Sequence, residues 1–281
     1  MQEVLGTIGT PLKRSVPKPL RRSFREAQFR MTYRPFNGKL SPDYDRIYHV
    51  HIRKCAGTSL NAAFLEYFSG HSDGVKRLAR APKHRLVFNG KPVVGWNGEM
   101  IDRGAYIYGF SHRPYHKITL QPKTFTFTFL RDPSDRLVSH YKMLKDMIAA
   151  GSEHPAMKRE AWWAEDTFSD FLDRIPRTDL ENQLYMFDPN FDIDKALTRL
   201  TELSYVAFVN DTDDFLSVLR RNFGIELPYQ HRHKSQHAPV VTEADRRRMR
   251  EMLAAENAFI TAAREHLGAK RTRLDPVPAE T

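Results

Sequence analysis

The stretch Arg46–Leu60 reads RIYHVHIRKCAGTSL, and its two ends carry different signals. Residues 46–52 are a short β-branched and aromatic run, which predicts a strand. A small-residue turn containing Gly57 follows, and Ser59–Phe68 then spaces Leu60, Phe64, Leu65 and Phe68 at helical intervals. A strand that runs through a short turn into a helix aims several backbone N–H groups and the helix dipole at one point, which makes an anion site. Lys54 adds a mobile positive charge there, and Thr58 and Ser59 add hydroxyl donors at the helix start.

The same alternation recurs along the chain. Ala105–Phe110 (AYIYGF) is a second strand, and Lys123–Leu130 (KTFTFTFL) is the strongest, with Phe125, Phe127 and Phe129 alternating with threonines. Asp132-Pro133 opens a helix, because proline is tolerated in a first turn where its missing N–H costs nothing. Val206–Asn210 followed by Asp214–Phe223 repeats strand then helix. A last helix starts at Thr242, with Asp245 three residues on as a capping-box pattern, and stops at Gly268. Alternating strands and helices predict an α/β protein: a three-layer αβα arrangement around a mainly parallel central sheet. Ligands in such sheets sit beyond the carboxyl ends of the strands.

Composition narrows the class. The chain has 281 residues, 41% of them hydrophobic, enough for a core of ordinary size. No run approaches the roughly 20 apolar residues of a membrane-spanning helix, and the basic N-terminus lacks the apolar core of a secretory signal. Cys55 is the single cysteine, which excludes an internal disulfide framework and a multi-cysteine zinc site. A cytoplasmic protein is expected. The net charge is +10, but residues 1–40 hold nine Lys/Arg against Glu3 and Glu26, so seven of the ten charges sit in that segment. The expected organisation is a basic N-terminal arm over 1–40, a catalytic domain over 41–268 and a tail over 269–281. The arm is either a solvated leader or a contact for an anionic membrane surface, an acidic glycan or a neighbouring subunit. A nucleic-acid partner is not expected, since the folded part carries little of the charge.

A second strand end is as unusual as the first. In Phe129-Leu130-Arg131-Asp132-Pro133-Ser134-Asp135-Arg136-Leu137-Val138-Ser139, Arg131 stands where the strand stops and Ser139 lies about two helical turns on. A guanidinium and a hydroxyl so placed can hold a phosphate from two sides. Two anion pockets on neighbouring strand ends suit a ligand with two well-separated phosphates. The first turn is not the G-x-x-x-x-G-K-[ST] loop of nucleoside triphosphatases, since the lysine precedes the glycine. That disfavours the rival reading of a small-molecule kinase with a P-loop and a magnesium carboxylate.

With these two motifs the chain resembles the sulfotransferases that use 3′-phosphoadenosine 5′-phosphosulfate (PAPS). Lys54-Cys55-Ala56-Gly57-Thr58-Ser59-Leu60 is similar to their 5′-phosphosulfate loop, and Arg131-Asp132-Pro133 through Ser139 to their 3′-phosphate motif. The carbohydrate branch, whose loop reads like K-T-A-G-T-S-L, is the nearest match, and a bacterial-type enzyme is implied. The resemblance spans roughly 46–265 and implies a P-loop-like sulfotransferase fold. It further implies that Arg53, Lys54, Ala56, Gly57, Thr58 and Ser59 hold the 5′-phosphosulfate and Arg131 and Ser139 the 3′-phosphate. Lys234 and Ser235, in the basic stretch His231–His237, would approach the 3′-phosphate or the adenine. The implied reaction is in-line sulfuryl transfer to a hydroxyl of a glycan or glycolipid, with a small-molecule or lipid hydroxyl as the alternative acceptor.

In-line transfer needs a group to take the acceptor's proton and charge to steady the leaving phosphate. Lys54 suits the second task. For the first, Gly109-Phe110-Ser111-His112-Arg113-Pro114-Tyr115-His116 follows a predicted strand and resembles the G-H-x-P-Y segment of the carbohydrate branch. His112 is the expected base, His116 the reserve, and Glu66 a more distant candidate. Asn182-Gln183-Leu184-Tyr185-Met186 falls where the family carries an N-x-Q-T-R-like pattern near the acceptor. By that resemblance Gln183 and Tyr185, with His116, are expected to bind substrate, and Tyr185 replaces the arginine expected for an acidic sugar. Cys55 reads as a small packing residue, and His49 and His51, on one side of their strand, as packing or supporting groups. Trp96, Trp162 and Trp163 are either sugar platforms or buried anchors. A metal is not expected: Pro114 between His112 and His116 breaks the helical spacing such ligands would need.

Overall fold

A computed structural model describes residues 32–229 and 240–271, with side chains as far as 267. Most of the basic arm, the tail beyond 271, and Lys234 and Ser235 lie outside the described residues. The strands are β1 (Arg46–Val50), β2 (Arg85–Phe88), β3 (Lys91–Gly95), β4 (Tyr108–Ser111), β5 (Thr124–Leu130) and β6 (Tyr205–Phe208). The helices are α1 (Gly57–Ser69), α2 (Gly74–Arg80), α3 (Gly98–Asp102), α4 (Pro133–Ala149), α5 (Met157–Glu160), α6 (Phe168–Arg174), α7 (Arg177–Leu180), α8 (Asn182–Phe187), α9 (Ile193–Thr201), α10 (Thr212–Phe223), α11 (Glu243–Met252) and α12 (Ala254–Arg271).

The six strands form one sheet in the order β2-β3-β4-β1-β5-β6, parallel except for the β2–β3 pair. Helices cover both faces, giving the expected three layers. Every residue of β1 is buried, and so are six of the seven in β5. Because both faces of these central strands are covered, even Thr126 and Thr128 are inside. The Thr128 hydroxyl is satisfied by donating to the Val50 carbonyl at 2.8 Å. The core runs through Phe64, Phe110, Phe127, Phe129 and Phe215. A second cluster, with Leu137, Tyr141, Phe168, Phe171, Met249 and Leu253, locks α4, α6 and α11 together. The start of the described chain rests on the first core through Tyr33, Phe36 and Leu40.

The chain leaves β1 toward β3 and β4 on one side, while β5 and β6 lie on the other. In sheets with such a reversal, ligands bind beyond the carboxyl ends of the strands, here those of β4, β1 and β5. The β1–β5 pairing of Ile47 with Phe125 and His49 with Phe127, continued past the strand ends, sets the lysine turn beside Arg131.

Two expectations need correction. The last helix is two: α11 ends at Met252, Leu253 leaves the helical path, and α12 runs on through Gly268 to Arg271. The β2–β3 hairpin was not expected, although Asn89 and Gly90, both with positive φ, form the Asn-Gly turn that such hairpins favour. No helix among the described residues is long and apolar enough to cross a membrane.

Candidate active site

The turn between β1 and α1 is built to leave N–H groups unclaimed by side chains. Lys54 and Ala56 both take left-handed backbone conformations, φ 67° and 58°, at a cost of about 1–3 kcal/mol each for residues with a Cβ. Alternation of this kind makes the concave array of amides that binds anions. No side chain caps α1, and its first turn holds no acidic residue. By contrast Asn97, Asp132, Thr167, Asp192 and Thr242 cap α3, α4, α6, α9 and α11. Thr58 is exposed at the helix start, while Ser59 is buried.

Arg131 reaches this turn directly: its guanidinium donates to the Lys54 carbonyl at 3.2 Å. The two sequence motifs, far apart in the chain, therefore form one surface. Ser139 lies in the second turn of α4, half-buried, and its hydroxyl makes no hydrogen bond to a described residue. Lys54 is pushed down to about 8, first by its sunken position and then by the charges of Arg131 and Arg53. Lys54, Arg131 and Arg53 thus form a cationic cluster at the turn.

Arg53 does not join that cluster as a free donor. Both terminal nitrogens bind the Glu160 carboxylate, at 2.9 and 2.6 Å, and one also reaches Asp179 at 3.4 Å. Glu160 is buried and meets His140 at 3.4 Å as well. Burial alone would raise its pKa, but His140 and Arg53 hold the carboxyl far below the usual range. Arg53 thus ties the lysine turn to α5. Cys55 is buried with its thiol near the Gln183 amide oxygen at 3.6 Å, and burial pushes it up to about 12, consistent with packing.

His112 lies one residue past β4. Its Nδ1 contacts the His51 carbonyl at 2.9 Å. A carbonyl only accepts, so Nδ1 carries the proton and Nε2 presents a lone pair. The ring keeps open surface, yet the surrounding atoms crowd it from every other side. Desolvation, outweighing the His51 contact, and the Arg53 charge lower it to about 4. It is neutral at pH 7 and in the form a base requires. Ser111 shapes this turn by accepting the Arg113 N–H at 3.2 Å while bonding Tyr48 at 2.8 Å.

His116 and Tyr185, expected together at the acceptor, do meet, edge to face at 5.5 Å, and Lys117 donates to the Tyr185 hydroxyl at 3.4 Å. Gln183 differs from expectation. It is completely buried and its amide holds Arg131, Cys55 and Glu256 instead of facing a ligand. Glu256 on α12 pairs in turn with the buried Arg136. Sequence reasoning gave neither member of that pair a role: Arg136 falls within the Arg-Asp-Pro motif, whereas no local signal marks Glu256. Trp163 is an anchor, whereas Trp96 and Trp162 are exposed. A cavity of about 590 Å³ lined by Tyr141, Lys142, Phe168 and Asp245 lies elsewhere. Its walls are mostly apolar and carry Lys142, Lys145 and the carboxylate that closes the α11 cap.

Residues 39–210, more than half of the chain, match the profile of the sulfotransferase family. No curated protein matches the chain. The matched region contains both strand-end motifs, the His112 turn and Gln183. With the profile match and the joined anion grips together, the chain belongs to the sulfotransferase family.

Proposed function

We propose that this protein transfers the sulfuryl group of PAPS to a hydroxyl of a glycan or glycolipid. The observation that carries the reading is the 3.2 Å bond from Arg131 to the Lys54 carbonyl, which makes two anion grips into one bipartite site. The donor set suits such a nucleotide: an uncapped helix start with left-handed turn residues and Lys54 at one end, Arg131 and Ser139 at the other.

When bound, the nucleotide supplies the activated sulfuryl group; the chain supplies position, charge and a proton acceptor. His112 Nε2 takes the proton of the acceptor hydroxyl as that oxygen bonds to sulfur. The electron pair of the breaking bond stays on the bridging oxygen of the leaving phosphate. Lys54, protonated, neutralises that developing charge together with the amides of the turn. His116, Tyr185 and Lys117 offer an acceptor wall of imidazole, phenol and ammonium. The glycan assignment is supported by the likeness of both motifs to the carbohydrate branch and by the exposed Trp96, whose strained φ of 56° holds it at the end of β3.

The test is thermal stabilisation by adenosine 3′,5′-bisphosphate compared with ADP. The 3′-phosphorylated nucleotide should raise the Tm by several degrees more, and Arg131→Ala should remove most of the difference. Equal shifts from both nucleotides would overturn the assignment.

A further inference from the structure

His51 lies one residue past β1 and three before Lys54, among the rings of His49, Phe110 and His112. Its ring is only 5% exposed and lies between His49, at 5.0 Å, and His112, at 4.2 Å. Asn61 on α1 reaches over this stack. The Tyr108 hydroxyl donates to Asn61 Oδ1 at 2.7 Å, and His49 Nδ1 lies 2.8 Å from the same oxygen. The amide nitrogen of Asn61 is then left to donate to His51 Nδ1, at 3.0 Å. A ring that accepts at Nδ1 and is neutral must carry its proton on Nε2.

That Nε2–H has no hydrogen-bond partner among the described residues. Its location is fixed by Gly57: a Cβ there would sit 2.2 Å from Nε2 and 2.0 Å from Cδ2. The donor edge of the ring thus lies on the first residue of α1, at the uncapped helix start. We propose that His51 is an uncharged hydrogen-bond donor of the phosphosulfate pocket, contacting the anion's oxygens through Nε2–H, with Asn61 as the positioning residue that sets its tautomer. The inference rests on the reading of this turn as a sulfonucleotide site. His51 and His112 are then adjacent rings with opposite tautomers: His112 presents a lone pair to the acceptor hydroxyl, and His51 presents a proton to the donor's oxygens. Burial, reinforced by the charges of Arg53 and Lys54, keeps His51 uncharged, so Nδ1 stays free to accept from Asn61 and the single ring proton stays on Nε2.

The test is imidazole ¹⁵N NMR on the full chain at pH 7, free and saturated with adenosine 3′,5′-bisphosphate. The free protein should show His51 protonated at Nε2 and His112 at Nδ1, and the His51 Nε2–H signal should shift on saturation. His51→Phe deletes the N–H and should weaken nucleotide binding about tenfold or more. Because the larger ring also leaves the Asn61 amide without its acceptor, a lower unliganded Tm is expected as well. Asn61→Asp, which accepts from both neighbouring rings, should move the His51 proton to Nδ1 and weaken binding comparably. A His51 proton found on Nδ1, no shift of its signal on saturation, or undiminished binding by His51→Phe would overturn the inference alone. Failure of the wild-type chain to bind the nucleotide would overturn the functional reading itself, with the tautomer result still standing. If His51→Phe does not fold, the wild-type spectra decide.

Discussion

Gln183 grips Arg131 by both of its backbone groups: the side-chain oxygen accepts the Arg131 N–H at 2.8 Å, and the side-chain nitrogen donates to the Arg131 carbonyl at 3.0 Å. The same amide oxygen lies within reach of the Cys55 thiol, and the nitrogen also donates to Glu256 at 2.8 Å. One buried side chain therefore spaces the lysine turn, the end of β5 and α12. The separation of the two anion grips follows from this clamp.

Replacing Gln183 by Leu keeps the volume but leaves the Arg131 backbone groups without partners. It also removes one donor from the buried Glu256 carboxylate, which keeps Arg136 and the backbone N–H of residue 183. A loss of about 2–3 kcal/mol in unfolding free energy is expected. Beyond that, the preference for adenosine 3′,5′-bisphosphate over ADP should shrink, because Arg131 is no longer held in register. Denaturant titration and nucleotide affinity measure the two effects separately. A stability loss with the preference intact would make Gln183 a packing residue only.

Gly57 is needed for close approach, since it begins a helix where alanine ordinarily stabilises by up to about 1 kcal/mol. Here the added Cβ would strike the His51 ring. Gly57→Ala should instead destabilise by about 1–3 kcal/mol and weaken nucleotide binding. His51→Ala should cost less stability in the Gly57→Ala background than on its own, because the clash is relieved, and it should not restore affinity. Thermal melts and titrations on the single and double variants check this.

Lys54 sits at about 8 in the free protein, and a bound polyanion favours its charged form. Binding should therefore take up a proton at alkaline pH, and affinity should be flat below about pH 8 and fall as pH rises through it. Calorimetry in buffers of different ionisation enthalpy reports the uptake. Lys54→Met should bind more weakly and lose this alkaline limb.

The strand-turn-helix of 46–69 and the Arg-Asp-Pro corner were legible in the sequence because their signals are local: alternation, a small-residue turn, a proline at a helix start. The role of Gln183 was not, since burial and the approach of Glu256 depend on how α8 and α12 pack. Arg53 is a like case. As a cation beside Lys54 it read as a nucleotide ligand, while its partner Glu160 arrives from a helix across the fold. The β2–β3 hairpin was missed for another reason, because its Asn-Gly signal was present and overlooked. Glu256 lies beyond the profile-matched region, so the clamp joins the family-like part of the chain to its C-terminal helix.

His112→Asn retains a donor for the His51 carbonyl but offers no base. Sulfuryl transfer, followed as conversion of PAPS to adenosine 3′,5′-bisphosphate in the presence of a panel of glycan acceptors, should fall by about 10²–10⁴-fold, with nucleotide affinity changed less than about threefold. In the wild-type chain, kcat/KM should decline on the acid side as His112, at about 4 in the free protein, gains its proton. Loss of nucleotide binding in step with activity would move His112 from base to binding group.

The most direct test of the bipartite site is a crystal structure with adenosine 3′,5′-bisphosphate. The 5′-phosphate should lie on the amides of residues 56–59 beside Lys54, and the 3′-phosphate between Arg131 and Ser139. A nucleotide bound with its ends reversed, or seated in the cavity lined by Tyr141, Lys142 and Asp245, would contradict the account.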